Sequence, residues 1–177
     1  HRVDRRQRQM CIRDRYIEEM IKFKPDVVGF SLYYCNEEPC KWMATEIKKR
    51  MPGVKIIVGG PATHASYYKG ETIYDYVVNG EGEQPLLSML KTLEDKVSVE
   101  YDEDAVSKII RQPENQRFNL STLPLPDYSD FDFSKYKFPN GALCEISRGC
   151  IAKCTFCEET HFWKYRQRNA SSTLNDC

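Results

Sequence analysis

Cys150, Cys154 and Cys157 fall within eight residues at the spacing C-x3-C-x2-C, inside the run Arg148-Gly149-Cys150-Ile151-Ala152-Lys153-Cys154-Thr155-Phe156-Cys157. The ends of the run offer no fourth thiol. A closed structural site, whether zinc or an ordinary iron–sulfur cluster, takes four protein ligands. Three thiolates therefore point to a metal centre with one position open to another molecule. Tetrahedral zinc is the rival, with His161 as fourth ligand in C-x3-C-x2-C-x3-H, or with Cys144 in that role.

Such a loop has to be held by regular structure, and the preceding chain is patterned for it. Asp26–Tyr34 is a nearly continuous apolar run, as expected of a strand buried on both faces. A helix follows from Asn36, which can cap it. Glu37 and Glu38 suit its positive end, and Trp42, Met43 and Ile47 supply an apolar side. Val54–Val58 reads as a second buried strand ending in Gly59-Gly60-Pro61. A third, around Asp75–Val78, ends in Gly80-Glu81-Gly82-Glu83. Pro85 then opens a helix with Leu86, Leu90 and Leu93 aligned. This alternation predicts a parallel, doubly wound sheet whose ligand sits beyond the carboxyl ends of its strands. Those ends are Ser31–Tyr34, Gly59–Pro61 and Gly80–Gly82. Gly80-x-Gly82 lacks the third glycine of a dinucleotide fingerprint, and Glu81 would repel a pyrophosphate, which excludes a nucleotide-dehydrogenase reading.

Further on, Val97–Tyr101 and Val106–Arg111 read as a hairpin around Asp102-Glu103-Asp104. Leu123-Pro124-Leu125-Pro126-Asp127-Tyr128 reads as a stiff linker. Phe131, Phe133, Tyr136 and Phe138 read as packing residues. Ala142–Ser147 reads as a last strand running into the cysteine loop. Before all of this, Arg5–Arg15 resembles the in-frame translation of a transposase sequencing adapter, so residues 1–15 are expected to be non-native and the first helix to end over Arg15–Lys22. Setting 1–15 aside leaves 20 basic and 24 acidic side chains.

The whole chain has 26 basic and 26 acidic residues among 177, so neither nucleic acid nor an anionic membrane is a default partner. No apolar run approaches the roughly 20 residues of a membrane span, and the N-terminus lacks a signal-peptide core. Cytoplasmic location is expected. Of eight cysteines, four lie between 144 and 157, a cluster that favours metal binding over a disulfide framework. Cys35, Cys40 and Cys144 are expected to be small buried thiols, and His64, after the Gly-Gly-Pro turn, to be either a ligand contact or a solvated loop residue.

The cysteine run, placed after a strand, resembles the cluster loop of radical S-adenosylmethionine enzymes. The resemblance implies that Cys150, Cys154 and Cys157 hold three irons of a 4Fe–4S cluster and that the fourth iron chelates S-adenosylmethionine. Phe156 would lie near the adenine. Reductive cleavage of that cofactor would yield a 5′-deoxyadenosyl radical that abstracts hydrogen from substrate. Ser31-Leu32-Tyr33, Gly59-Gly60-Pro61 and Gly80-Glu81-Gly82-Glu83 resemble the turns of the cobalamin-binding domain that precedes the radical domain in one large subgroup. Leu32 follows Ser31 directly, whereas the subgroup has leucine two residues after serine. The subgroup's Asp-x-His-x-x-Gly loop has no counterpart here.

These resemblances imply an α/β chain in four parts. Residues 1–15 are adapter-like, 16–94 a partial Rossmann-like cobalamin-binding domain, 95–128 hairpin and linker, and 129–177 the first strand and cluster loop of a radical S-adenosylmethionine (β/α) barrel. The expected cofactors are a 4Fe–4S cluster, S-adenosylmethionine and cobalamin. The expected partners are a small-molecule substrate and a reductant such as flavodoxin or ferredoxin. No catalytic side chain is assigned. The chain is expected to be a fragment at both ends and catalytically silent alone, its parent carrying out methyl transfer, radical cyclisation or oxidation. A non-catalytic corrinoid-binding module is the remaining alternative.

Overall fold

The structure, a computed structural model, describes residues 5–63, 70–94, 105–111, 118–124, 126–138, 141, 144–157 and 164–174. It divides into two compact units, His1–Glu114 and Asn115–Cys177.

The first unit is built on four parallel strands, β1 (Val27–Ser31), β2 (Lys55–Gly59), β3 (Tyr76–Asn79) and β4 (Lys108–Arg111), lying in chain order across the sheet. Val28 pairs with Ile56, Val58 with Val77, and Val77 with Ile109. Helix α1 (Arg5–Phe23) precedes β1, α2 (Glu37–Arg50) joins β1 to β2, and α3 (Glu83–Leu93) follows β3. Successive strand side chains point to opposite faces, and here both faces are covered. Val28, Ile56, Val58, Val77 and Ile109 pack with Ile17, Cys40, Ala44 and Ile47 of α1 and α2. On the other face, Ile57, Tyr76, Val78 and Ile110 pack with Met89 of α3. Double coverage is why these strands read as apolar runs rather than as alternation.

Three elements bear on what the sequence suggested. The expected strand Val106–Arg111 is present as Lys108–Arg111, which pairs parallel to β3; Val97–Tyr101, the other arm of the expected hairpin, lies outside the described residues. The face α3 buries is Pro85 and Met89, while Leu86 and Leu90 are exposed and Leu93 is half-buried. The first helix ends as expected after Lys22: α1 runs unbroken from Arg5 to Phe23. Lys24, with φ of 53°, then turns the chain left-handed before Pro25.

Asp75, just ahead of β3, braces this sheet. Its Oδ2 accepts from Lys48 Nζ of α2 at 2.6 Å and from the Ile56 N–H of β2 at 2.7 Å, with Lys55 Nζ 3.7 Å from Oδ1. Its backbone carbonyl accepts from Lys108 N–H of β4 at 3.2 Å. Burial pushes the carboxyl upward, but the Ile56 amide and the two lysines outweigh it and hold it below the ordinary aspartate range.

In the second unit, β5 (Ser147–Arg148) pairs antiparallel with β6 (Arg166–Gln167), ahead of a short helix, α4 (Ala170–Leu174). The strand expected over Ala142–Ser147 is therefore only two residues long and antiparallel; residues 142 and 143 lie outside the described set. The linker is tied to this element. Arg166 Nη1 donates to the Phe118 carbonyl at 3.1 Å and Arg168 Nη2 to that of Leu123 at 3.2 Å, and the Asn169 N–H donates to Ser121 Oγ at 2.9 Å. Tyr128, Phe131, Phe133 and Tyr136 stack in sequence with ring centroids 5.7–6.4 Å apart. Phe131, Tyr136 and Phe138 nonetheless stay largely exposed.

Candidate functional site

The three glycine- or serine-led turns expected to bind ligand meet at the carboxyl end of the sheet. Leu32 N–H donates to the Gly59 carbonyl at 2.7 Å, and Ala62 N–H donates to the Leu32 carbonyl at 3.1 Å. These bonds stitch the ends of β1 and β2 together. Gly60 follows with φ of 102°, and a Cβ built there would lie 2.7 Å from the Leu32 carbonyl oxygen and 3.0 Å from both Leu32 N and Ser31 Oγ. Only glycine fits, on grounds of conformation and of space alike. β3 ends the same way: Asn79 closes the strand and Gly80 turns with φ of 107°. Gly82 then leads α3. Two adjacent strands thus each release the chain through a left-handed glycine, leaving backbone that another molecule can approach closely.

The individual side chains are placed as follows. Ser31 and Tyr33 are exposed at the end of β1, and Gly59, Gly60, Pro61, Gly80 and Gly82 are partly accessible. Leu32 is fully buried in the α1–α2 core, so it offers the turn its backbone and not its side chain. Glu81 is buried, at 2 % exposure, between the two glycines of its turn.

Sequence reasoning missed three residues that shape these turns. Asn36 is not a side-chain cap for α2. Instead its Oδ1 accepts from Tyr33 N–H at 2.7 Å and its Nδ2 donates to the Ser31 carbonyl at 3.0 Å, closing the β1 turn on itself. Thr63 and Asn79 link the other two turns. Asparagine soon after a strand is a turn signal that could have marked the first. Nothing local marks the pair, whose partners lie 15–16 residues apart.

The cysteine loop leaves β5 through Gly149, whose φ of 81° reverses the chain. Arg148 grips Glu145 at 2.8 and 2.6 Å just before the turn. Cys150 forms a bridge with Lys164, the Ala152 N–H donates to Cys150 Sγ at 3.4 Å, and Cys157 N–H donates to the Cys154 carbonyl at 3.1 Å. Cys150 and Cys154 are exposed and Cys157 half-buried; Phe156 is 89 % exposed. Among the described residues no three Cys, His, Asp or Glu side chains are gathered for a metal. The donor set nevertheless fits a cluster chemically: three thiols on one accessible loop, with no carboxylate among them. His64 and His161 lie outside the described residues. Of the other thiols, Cys40 is buried as expected and burial pushes it upward, whereas Cys35 and Cys144 are exposed rather than buried. Cys35 belongs to the turn that Asn36 closes and not to the strand, which ends at Ser31.

A parallel α/β sheet with glycine turns at the carboxyl ends of its strands has the architecture in which a ligand sits beyond those ends. The profile of the B12 binding domain family matches residues 2–90, and the chain belongs to that family. It is 29 % identical to a hopanoid C-3 methylase of Methylococcus capsulatus over 91 % of its own length and 33 % of the relative's. It is 25 % identical to a cytidylyl-2-hydroxyethylphosphonate methyltransferase of Streptomyces wedmorensis, over 92 % of the chain and 38 % of the relative. It is 23 % identical to an anaerobic magnesium-protoporphyrin IX monomethyl ester cyclase of Rubrivivax gelatinosus, over 92 % and 32 %. The chain thus spans about a third of the length of these relatives. With nine-tenths of the chain aligned, each match also extends well beyond residue 90 into the cysteine-bearing unit. No helix among the described residues is long and apolar enough to cross a membrane.

Proposed function

We propose that the chain is the cobalamin-binding and cluster-loop part of a radical S-adenosylmethionine enzyme acting in methyl transfer, radical cyclisation or oxidation of a small molecule. The observation that carries the cobalamin half is the Gly60 cradle, where the ends of β1 and β2 exclude a side chain. Backbone bared there and at Gly80 would accept the corrinoid's nucleotide tail, with Ser31, Tyr33, Pro61, Glu81 and Gly82 around it.

Cys150, Cys154 and Cys157 would hold a 4Fe–4S cluster by three irons, leaving the fourth for S-adenosylmethionine beside Phe156. When bound and reduced by a flavodoxin- or ferredoxin-type donor, that cluster supplies the electron that cleaves the cofactor. The chain's own part is positional: Gly149 frees the loop from β5, and the Arg148–Glu145 pair fixes where it starts. Three of the chain's relatives carry methylase, methyltransferase and cyclase names, which supports this class of chemistry.

Anaerobic reconstitution with iron and sulfide, followed by metal analysis, tests the cluster. About four irons and four sulfides per chain are expected. Tight zinc with no uptake of iron would contradict it.

A further inference from the structure

Thr63 ends the single 3-10 turn (Pro61–Thr63) that follows β2, and none of its surface is exposed. Its Oγ1 donates to the Gly60 carbonyl at 2.9 Å, with the Val78 carbonyl a second acceptor at 3.2 Å. Its N–H also donates to Gly60 O, at 3.0 Å. Its own carbonyl accepts from the side-chain amide of Asn79. Gly60 and Gly80, the two left-handed glycines, therefore sit at either side of one hydrogen-bonded pair: Thr63 holds the first directly, and Asn79 immediately precedes the second.

Glycine is the most conformationally free of residues, so a glycine turn held by nothing would sample many backbone states. A ligand that approaches the backbone must find it already in one of them, and ordering it during binding weakens affinity. Thr63 is buried and cannot itself touch a ligand. Its bonds run to the backbone just after β2 and to that of β3, a connection that hydrophobic packing of the strands does not require.

We propose that Thr63 and Asn79 form a latch that pre-organises the Gly59–Gly60 and Gly80–Gly82 turns as one unit, Thr63 being the positioning residue of the cofactor site. The identity of the ligand rests on the cobalamin reading above; the latch rests on the hydrogen bonds alone.

The test uses the full 177-residue chain in wild-type, Thr63→Val, Thr63→Ser and Asn79→Asp forms. Two quantities are read: hydroxocobalamin affinity by visible absorbance, and amide hydrogen exchange of the ligand-free protein. In Thr63→Val, cobalamin binding weakens at least tenfold. Exchange accelerates in residues 59–63 and 79–82 together, with Lys108–Arg111 unchanged. Thr63→Ser restores both readouts, and Asn79→Asp loosens both turns as Thr63→Val does. Wild-type affinity in Thr63→Val, or loosening confined to one turn, would overturn the latch. A chain that binds no cobalamin in any form refutes the corrinoid reading, while the exchange pattern still decides the latch. If Thr63→Val does not fold, Asn79→Asp against Thr63→Ser makes the same comparison.

Discussion

A side-chain carbon at Gly60 would lie 2.7 Å from the carbonyl oxygen of Leu32. The ends of β1 and β2, linked by the Leu32–Gly59 and Ala62–Leu32 backbone hydrogen bonds, leave no room there for a side chain. This makes Gly60 a position where stability and ligand binding are expected to fall together.

Gly60→Ala adds a methyl both to a left-handed residue and to an occupied space. The conformational part alone costs about 1–2 kcal/mol, and the displaced Leu32 backbone adds to it. Urea unfolding of the ligand-free chain is expected to show at least this loss. Gly53→Ala, where a Cβ meets nothing within 4 Å, is the control expected to stay within about 0.5 kcal/mol.

Asp75 makes the protein acid-sensitive. Its carboxyl titrates lower in the folded chain than in the unfolded one, so its contribution is fully present above the unfolded value of about 4 and is lost as pH falls through the folded value. Asp75→Ala also leaves the Ile56 amide and Lys48 without this acceptor, a loss of about 1–3 kcal/mol at neutral pH. Urea midpoints measured from pH 7 down to pH 3 should fall for the wild type and be flatter for Asp75→Ala. Parallel curves would rule out this role.

The orientation of α3 is testable by packing. Met89 is fully buried, so Met89→Ala is expected to cost about 2–5 kcal/mol. Leu87, half exposed, should cost little when truncated, within about 0.5 kcal/mol. Comparable losses at the two positions would mean that the helix is rotated from this arrangement.

Cys154→Ala removes one of three thiols from the cluster loop. Reconstituted iron is expected to fall to well under one per chain, while hydroxocobalamin affinity stays within about twofold because the glycine turns belong to the first unit. Undiminished iron would show that the metal is bound elsewhere.

Much of the first unit was legible because its cause is local. Strands covered on both faces become apolar runs, and Pro, Gly and charged residues mark the ends of α2 and α3. What escaped depends on partners far along the chain. Lys108–Arg111 has the composition of a strand, but its parallel pairing with β3 is a non-local choice that leaves no mark in the chain around it. The leucines of α3 share a helical spacing with Pro85 and Met89, and periodicity alone does not say which stripe faces the sheet. Cys35 looked like core because the apolar run continues through Tyr34, yet Asn36 bends the chain out of the strand after Ser31. For the site, the glycines announced themselves by type. Thr63 and Asn79 could not, since an ordinary threonine and asparagine become a latch only when two strands bring them together.

A corrinoid site at the carboxyl ends of β1, β2 and β3, as proposed, would take up free cobalamin. Titration of hydroxocobalamin into the purified chain, followed by visible absorbance, tests it most directly. A saturable complex of one cobalamin per chain is expected, weakened at least tenfold by Gly60→Ala in protein that remains folded. Failure of the folded wild-type chain to bind, or binding that Gly60→Ala leaves unchanged, would contradict it.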